Sequence, residues 1–265
     1  MKWTAVEYAE WISQGKPINL NVIELNISKL YIQSLNGIEK LPNLTILNCS
    51  DNNLESLNGI EKLPNLIILN CSDNNLKSLT ELESLHNLTI LNCSANCLRS
   101  LHSIKNLCSL TELYCSHNYL DSLIPIKNLI NLVKLDCSTN NLKSIDCVQN
   151  LHNLTVLKCS FNDLKSIDLI KNFPNLTELD CMANKLTSLD PIKNLTNLTE
   201  LNFSRNKLTS LDCVKNLHNL TVLKCRNNRL KSLDPIENLI NLTELDFCDC
   251  FNNELTLNKI KNWLI

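Results

Sequence analysis

Leucine recurs every 22 residues without an insertion, at 44, 66, 88, 110, 132, 154, 176, 198 and 220, so nine regular units run from residue 44 to 241. With that leucine as position 1, position 4 is Leu47, Leu69, Leu91 and onward to Leu245, and position 11 is Leu54, Leu76, Leu98 and onward to Leu230. Around Leu47 in Leu44-Thr-Ile-Leu47-Asn-Cys49, apolar and polar residues alternate, which predicts a short strand. Stacked units would set such strands in parallel about 4.8 Å apart. One coil of 22 residues has no second layer against which to bury Leu44, Leu47, Cys49, Leu54, Leu57, Ile60 and Leu63. The neighbouring coils supply that layer.

Two polar columns interrupt the apolar pattern. Position 9 is asparagine from Asn52 to Asn228. An interior asparagine must have its amide satisfied, and bonding to backbone groups of its own and the adjacent turn predicts a ladder. Position 15 holds Asn58, Thr80, Asp146, Asp168, Asp190, Asp212 and Asp234, and position 16 holds Pro125, Pro191 and Pro235. A capping residue followed by proline predicts the start of a short helical or 3₁₀ segment. That segment would turn Ile60, Ile104, Ile126, Val148, Ile170, Ile192, Val214 or Ile236 inward. The expected fold is an α/β solenoid, with a parallel sheet on the concave face and short helical segments on the convex face.

Both ends depart from the pattern. Residues 22–43 form a degenerate first repeat, with Leu30 where the asparagine belongs, as a terminal unit stacking on one side would. Residues 1–21 are expected to form a capping helix through Trp3, Val6, Ala9 and Trp11, with Tyr8 nearby, ended by Gly15 and Pro17. Residues 242–265 are expected to hold a C-terminal degenerate repeat and cap, through Phe247, Phe251, Leu257, Ile260 and Trp263. The segment 146–159 recurs 66 residues later with Lys215 for Gln149, so three units were copied together.

The string L-x-x-L-x-C-x-x-N-x-L resembles the signature of the leucine-rich repeat family. Its 22-residue length and S-L-x-x-I-K-N-L tail are similar to the class found in bacterial internalins and in a phosphatase-regulating subunit. The resemblance covers nearly the whole chain and implies a curved right-handed superhelix that binds proteins. The C-S-x-N-x-L wording is also similar to repeat proteins of amoeba-infecting giant viruses. No phosphatase-contacting motif and no internalin-type wall anchor carries over residue by residue.

Composition narrows the chemistry. The net charge of −2, with both signs spread along the chain, gives no nucleic-acid or anionic-membrane footprint. Three glycines, Gly15, Gly37 and Gly59, leave nothing from which to build a phosphate-cradling loop. Glu7 and Glu10 interrupt the stretch where a secretory signal would be apolar, and no membrane span is expected. Of 14 cysteines, Cys49, Cys71, Cys93, Cys115, Cys137, Cys159, Cys181 and Cys225 share position 6, where Phe203 and Phe247 fill the gaps. A slot that accepts phenylalanine is an apolar core position, so buried free thiols are expected rather than disulfides. Cys248-Asp-Cys250 lacks a second pair at zinc-finger spacing, and no metal or cofactor is expected. The sequons at Asn43, Asn48, Asn70 and Asn87 would crowd a stacked array if glycosylated, which favours an intracellular, cytoplasmic protein. His86, His102, His117, His152 and His218 converge with no nucleophile and orienting acid, so no enzyme is expected.

What remains is binding. Positions 3 and 5 flank the central strand leucine and compose the concave face. Ile46, Ile68 and Ile90 make an apolar stripe beside Asn48, Asn70 and Asn92, which suits a protein partner. Cross-strand packing of β-branched residues would produce the same stripe. Tyr114, His117, Tyr119 and Phe161 are expected to cluster on that face and its adjoining turns as interface anchors. Glu112 beside Lys134, and Asp136 beside Lys158 beside Asp180, suggest charges that satisfy one another, and Arg205, Lys207, Lys224, Arg226, Arg229 and Lys231 form a basic edge. The expected molecule is a monomeric protein-interaction scaffold. The alternative is a structural or redundant repeat paralogue with no dedicated partner.

Overall fold

A computed structural model describes residues 1–247 and divides the chain into two compact units, Met1–Asn140 and Asn141–Ile265. The C-terminal cap expected from Phe251, Leu257, Ile260 and Trp263, and the Cys248-Asp-Cys250 motif, lie outside the described residues.

The first unit holds seven parallel strands: β1 (Lys2–Trp3), β2 (Glu24–Asn26), β3 (Ile46–Asn48), β4 (Ile68–Asn70), β5 (Ile90–Asn92), β6 (Glu112–Tyr114) and β7 (Lys134–Asp136), each paired with the next. The second holds β8 (Val156–Lys158), β9 (Glu178–Asp180), β10 (Glu200–Asn202), β11 (Val222–Lys224) and β12 (Glu244–Asp246), again paired in parallel in chain order. The register is one residue against its homologue 22 positions on, as in Leu47↔Leu69 and Leu201↔Leu223. The 22-residue period is thus the geometry of the sheet itself.

From β2 on, each strand stays three residues long because the chain turns sharply after it. Position 8 adopts positive φ in every regular unit: Asp51, Asp73, Ala95, His117 and Thr139 in the first, and Phe161, Ala183, Arg205 and Asn227 in the second. None is glycine. The conformation is held by backbone bonds to the next coil, for example from Asp51 N–H to Ser72 O at 2.9 Å and from Ala183 N–H to Ser204 O at 2.8 Å.

The asparagine column braces that turn. Asn74 Nδ2 donates to the carbonyls of Cys49, Cys71 and Ser72 at 3.0, 3.2 and 3.0 Å, and its Oδ1 accepts from Leu54 N–H at 2.9 Å. In the second unit Asn184 repeats the pattern with Cys159, Cys181, Met182 and Leu164 N–H. Where Leu30 replaces the asparagine, Ile32 N–H makes the usual bond to the next coil's amide, Asn52 Oδ1, at 3.1 Å, and Leu30 N–H donates to the same oxygen at 3.1 Å. Inside, Leu44, Leu47, Leu54, Leu57, Ile60 and Leu63 are wholly buried, as are Cys49, Cys71, Cys93, Cys115, Cys137, Cys159 and Cys181. All twelve described cysteines are free thiols.

The outward segments are 3₁₀ helices, mostly of three residues, such as Ile124–Ile126, Asp190–Ile192 and Asp234–Ile236, with Pro125, Pro191 and Pro235 in the first turn. The capping expectation needs correction. The position-15 aspartates make no side-chain cap; the serine two residues earlier does, with Ser144, Ser188 and Ser232 Oγ accepting from Asp146, Asp190 and Asp234 N–H at 2.9, 3.0 and 2.9 Å. A 3₁₀ turn rises too steeply for the aspartate to reach back over its own first turn, whereas serine approaches from outside.

The N-terminal end also differs in detail. An α-helix spans Ala5–Ser13 behind a Thr4–Glu7 capping box and buries Tyr8 and Trp11, while Val6 and Ala9 are exposed. Trp3 belongs to β1 rather than to the helix, and meets Trp11 with ring centroids 5.8 Å apart. Positions 8 and 11 share one helical face, which 6 and 9 do not. Trp11 Nε1 donates to Pro17 O at 2.8 Å, tying the helix to the segment that leads into β2.

Candidate functional site

Pleating sends position 4 into the core and positions 3 and 5 to the other side of the sheet. In the first unit Ile46, Ile68 and Ile90 stand directly opposite one another on β3, β4 and β5, followed by Glu112 and Lys134 on β6 and β7. The three isoleucines are half-buried, because each flank is covered by its neighbour in the file. They are therefore packed across strands and still present an apolar surface on their outer side.

The parallel file is Asn48, Asn70, Asn92, Tyr114 and Asp136. Sequence reasoning took the asparagines as free surface, but each turns its Oδ1 inward on the chain. Asn48 Oδ1 accepts from Ser50 N–H at 3.1 Å, and Asn70 and Asn92 do the same for Ser72 and Ser94. These bonds start the turn at the strand end. With Oδ1 committed, what Asn70 can offer a partner is its Nδ2 donor.

Tyr114 sits between Asn92 and Asp136 in the file and anchors a polar network. Its hydroxyl donates to Glu112 Oε2 at 2.6 Å, and Lys134 Nζ pairs with Glu112 Oε1 at 3.0 Å. The Tyr114 bond, and after it Lys134, holds the Glu112 carboxyl below the ordinary carboxylate range. Burial, then the Glu112 bond, pushes the Tyr114 phenol up to about 12. The expected Glu112–Lys134 pairing is present. In the second unit Lys158 pairs with Glu178 at 2.7 Å.

The remaining aromatic candidates lie on the turns that adjoin the strands. His117 is exposed at the positive-φ turn position, and Tyr119, 54% exposed, lies two residues on with Arg99 Cζ 5.9 Å from its ring centroid. Phe161 belongs to the second unit, at the corresponding turn position and 46% exposed. Two of the six residues in the proposed basic edge are neutralised: Lys224 pairs with Glu244 at 2.9 Å and Arg226 with Asp246 at 2.8 Å.

Sequence reasoning missed a groove along the edge where the strands begin. In the first unit Ile23, Asn43, Thr45, Asn65, Ile67, Asn87 and Thr89 line about 530 Å³, with Ile23 and Ile67 exposed; in the second, threonines and asparagines from Thr155 to Asn241 line about 710 Å³. The signal was the repeated N-L-T. Asn43 Nδ2 donates to Leu20 O at 2.8 Å and Asn87 Nδ2 to Pro64 O at 2.9 Å, so these sequon asparagines are coil-to-coil ties. Among the described residues no group of three or more His, Cys, Asp and Glu side chains is arranged to hold a metal ion. No helix there is long and apolar enough to cross a membrane.

Residues 152–194 match the family profile described as Leucine Rich repeats (2 copies). That stretch is similar to leucine-rich repeats. The leucine-rich-repeat fold is shared with solved structures over most of the chain. An internalin, InlF from Listeria monocytogenes, is 25% identical with a TM-score of 0.78, over 87% of this chain and 76% of that one. The functional domain of InlJ from the same species, described as including a cysteine ladder, is 32% identical with a TM-score of 0.71, over 85% of this chain and 53% of that one. The Arabidopsis receptor kinase HAESA, solved with the peptide hormone IDA and a co-receptor, is 25% identical with a TM-score of 0.75, over 86% of this chain and 42% of that one. The chain thus spans about half of the InlJ domain and less than half of HAESA. Comparison with curated protein sequences yields no match.

Proposed function

We propose that the chain is a non-catalytic scaffold that binds a protein partner on the outer face of the first unit's sheet. Ile46, Ile68 and Ile90 form the apolar centre, Asn70 contributes a donor, and Tyr114 supplies an amphipathic edge. His117 and Tyr119, and Phe161 in the second unit, are flanking contacts. The observation that carries this reading is the in-register isoleucine file, half-buried by its own neighbours and with no second layer over it among the described residues. The likeness to HAESA, which was solved with a peptide hormone, supports the same class of function.

An intracellular, monomeric setting belongs to this reading, as does kinship with the giant-virus repeat proteins whose wording it shares. It is supported by a core of free thiols and by sequon asparagines whose Nδ2 groups already bond backbone.

The test is capture from the natural cell by immobilised wild type, Ile68→Asp, Tyr114→Ala and, as a control on the 3₁₀ side, Lys62→Glu. Proteins held by wild type and Lys62→Glu should be lost with Ile68→Asp and depleted with Tyr114→Ala, while all four melt as folded proteins. Retention of the same proteins by both face variants would exclude this surface.

A further inference from the structure

The second unit carries a cation cluster that its own fold does not neutralise. After each strand the chain passes through the position-8 turn and then positions 10 and 12. In two consecutive coils these positions hold Arg205 and Lys207, then Arg229 and Lys231, all exposed. The backbone fixes their spacing: Lys207 N–H donates to Leu186 O at 2.9 Å, Arg229 N–H to Leu208 O at 2.8 Å and Arg205 N–H to Arg226 O at 2.7 Å. Lys207 and Arg229 thus occupy the same position on coils joined by the same ladder, an arrangement in which like charges repel.

Charges on either side are paired. Lys185 meets Asp163 at 2.7 Å and Arg226 meets Asp246 at 2.8 Å. Among the described residues Arg205, Lys207, Arg229 and Lys231 form no ion pair. The acid column Asp212 and Asp234 opens the following 3₁₀ helices, and Asp212 already accepts from Ser210 Oγ at 2.7 Å.

The internal duplication shows that the fold does not require Arg205, Lys207 or Arg229. Residues 146–167 and 212–233 differ at five positions of 22, and three of the five add a cation: Gln149 against Lys215, Ser160 against Arg226, and Asp163 against Arg229. In the preceding coil Thr139 and Asn141 correspond to Arg205 and Lys207. At the places of Arg205, Lys207 and Arg229 the other copy builds the same turn with Thr139, Asn141 and Asp163, while Lys231 corresponds to Lys165.

We propose that Arg205, Lys207, Arg229 and Lys231 form an anion-binding ridge that docks an acidic segment of a protein partner. The two coils of the ridge are direct neighbours, one strand spacing of about 5 Å apart, so carboxylates on adjacent residues of an extended acidic segment can meet cations of both coils. Two of the ridge's four members are arginines, whose planar forks match carboxylates in pairs. A single-stranded nucleic acid would call for aromatic platforms among the cations, and the adjoining turn residues are Ala183 and Asn227. This surface is independent of the isoleucine file, so either can fail without the other.

The probe is a fluorescent oligoglutamate peptide, followed by anisotropy at low salt. Lys207→Asn with Arg229→Asp restores the residues that the other copy carries at the same turn positions, and Lys171→Glu is a distant control in the second unit. Wild type and the control should bind with an affinity that falls as salt rises, and the double variant should bind about tenfold more weakly or worse. If the double variant melts early, each single substitution is measured instead and should show part of the loss. No binding by wild type, equal binding by the folded variants, or tighter variant-sensitive binding of a single-stranded oligonucleotide of equal charge would overturn the proposal.

Discussion

A single side chain, the position-9 asparagine, braces the closure of each regular coil. Asn118 is buried and donates to the carbonyls of Cys93, Cys115 and Ser116 at 3.0, 3.2 and 3.2 Å, while its Oδ1 accepts from Leu98 N–H at 2.9 Å. Asn118→Ala strands Leu98 N–H in a place closed to water, and is expected to cost about 1 to 3 kcal/mol. Denaturant melts of variant and wild type measure it, and coincident curves would mean that the ladder contributes nothing. This column was legible because an interior amide has few places to go. The turn beside it was not. Position 8 takes positive φ with Ala95, Thr139 and Phe161, none of which carries a sequence signature for that conformation. The turn is imposed by bonds to the next coil rather than by the residue. The position-5 asparagines were half-legible for a related reason: facing outward predicts availability, but Asx bonding to Ser50 or Ser72 is local and spends the carbonyl oxygen first.

At the scale of the element, alternation about Leu47 sufficed for the strands, and proline after aspartate sufficed to find the start of the outward segments. Which residue caps them was misread because serine and aspartate both cap well and stand two positions apart. The bond from Asp190 N–H to Ser188 Oγ separates the two roles. Ser188→Ala should lower stability by about 1 kcal/mol, whereas Asp190→Ala should stay within about 0.5 kcal/mol of wild type. Paired thermal melts decide this, and equal losses in the two variants would restore aspartate as the cap. The binding face divides along the same line. Its isoleucine file follows from strand periodicity alone, but the expected aromatic cluster joined residues of different elements. Tyr114 ends a strand, and His117 and Tyr119 belong to the turn beyond it. Spacing in a sequence fixes the face within an element and not the position of the turn that follows.

Across the whole molecule the cysteine column makes stability depend on proton occupancy in the alkaline range. Burial pushes the Cys49 and Cys93 thiols up to about 12 from an ordinary value of 9.0, and raises Cys71, Cys115 and Cys181 as well. Free thiols in the unfolded chain ionise near the ordinary value, so between about pH 9 and 12 the unfolded state binds fewer protons than the folded one. Stability is then fully present below about pH 9 and falls as pH rises, by about 1.4 kcal/mol per pH unit for each such thiol. Several thiols titrating together should give a steep, cooperative alkaline unfolding. Because Phe203 fills the same slot in the second unit, an apolar replacement is compatible with the coil. Cys93→Val is therefore expected to raise the alkaline midpoint and to reduce the proton release on unfolding by about one. Tyr114→Phe separates the contribution of the phenol, which acts with the same sign through its own rise to about 12. Circular dichroism against pH, with proton uptake measured from the dependence of stability on pH, reads both quantities. A Cys93→Val midpoint and slope equal to wild type would mean that the column thiols are not what limits the fold in base.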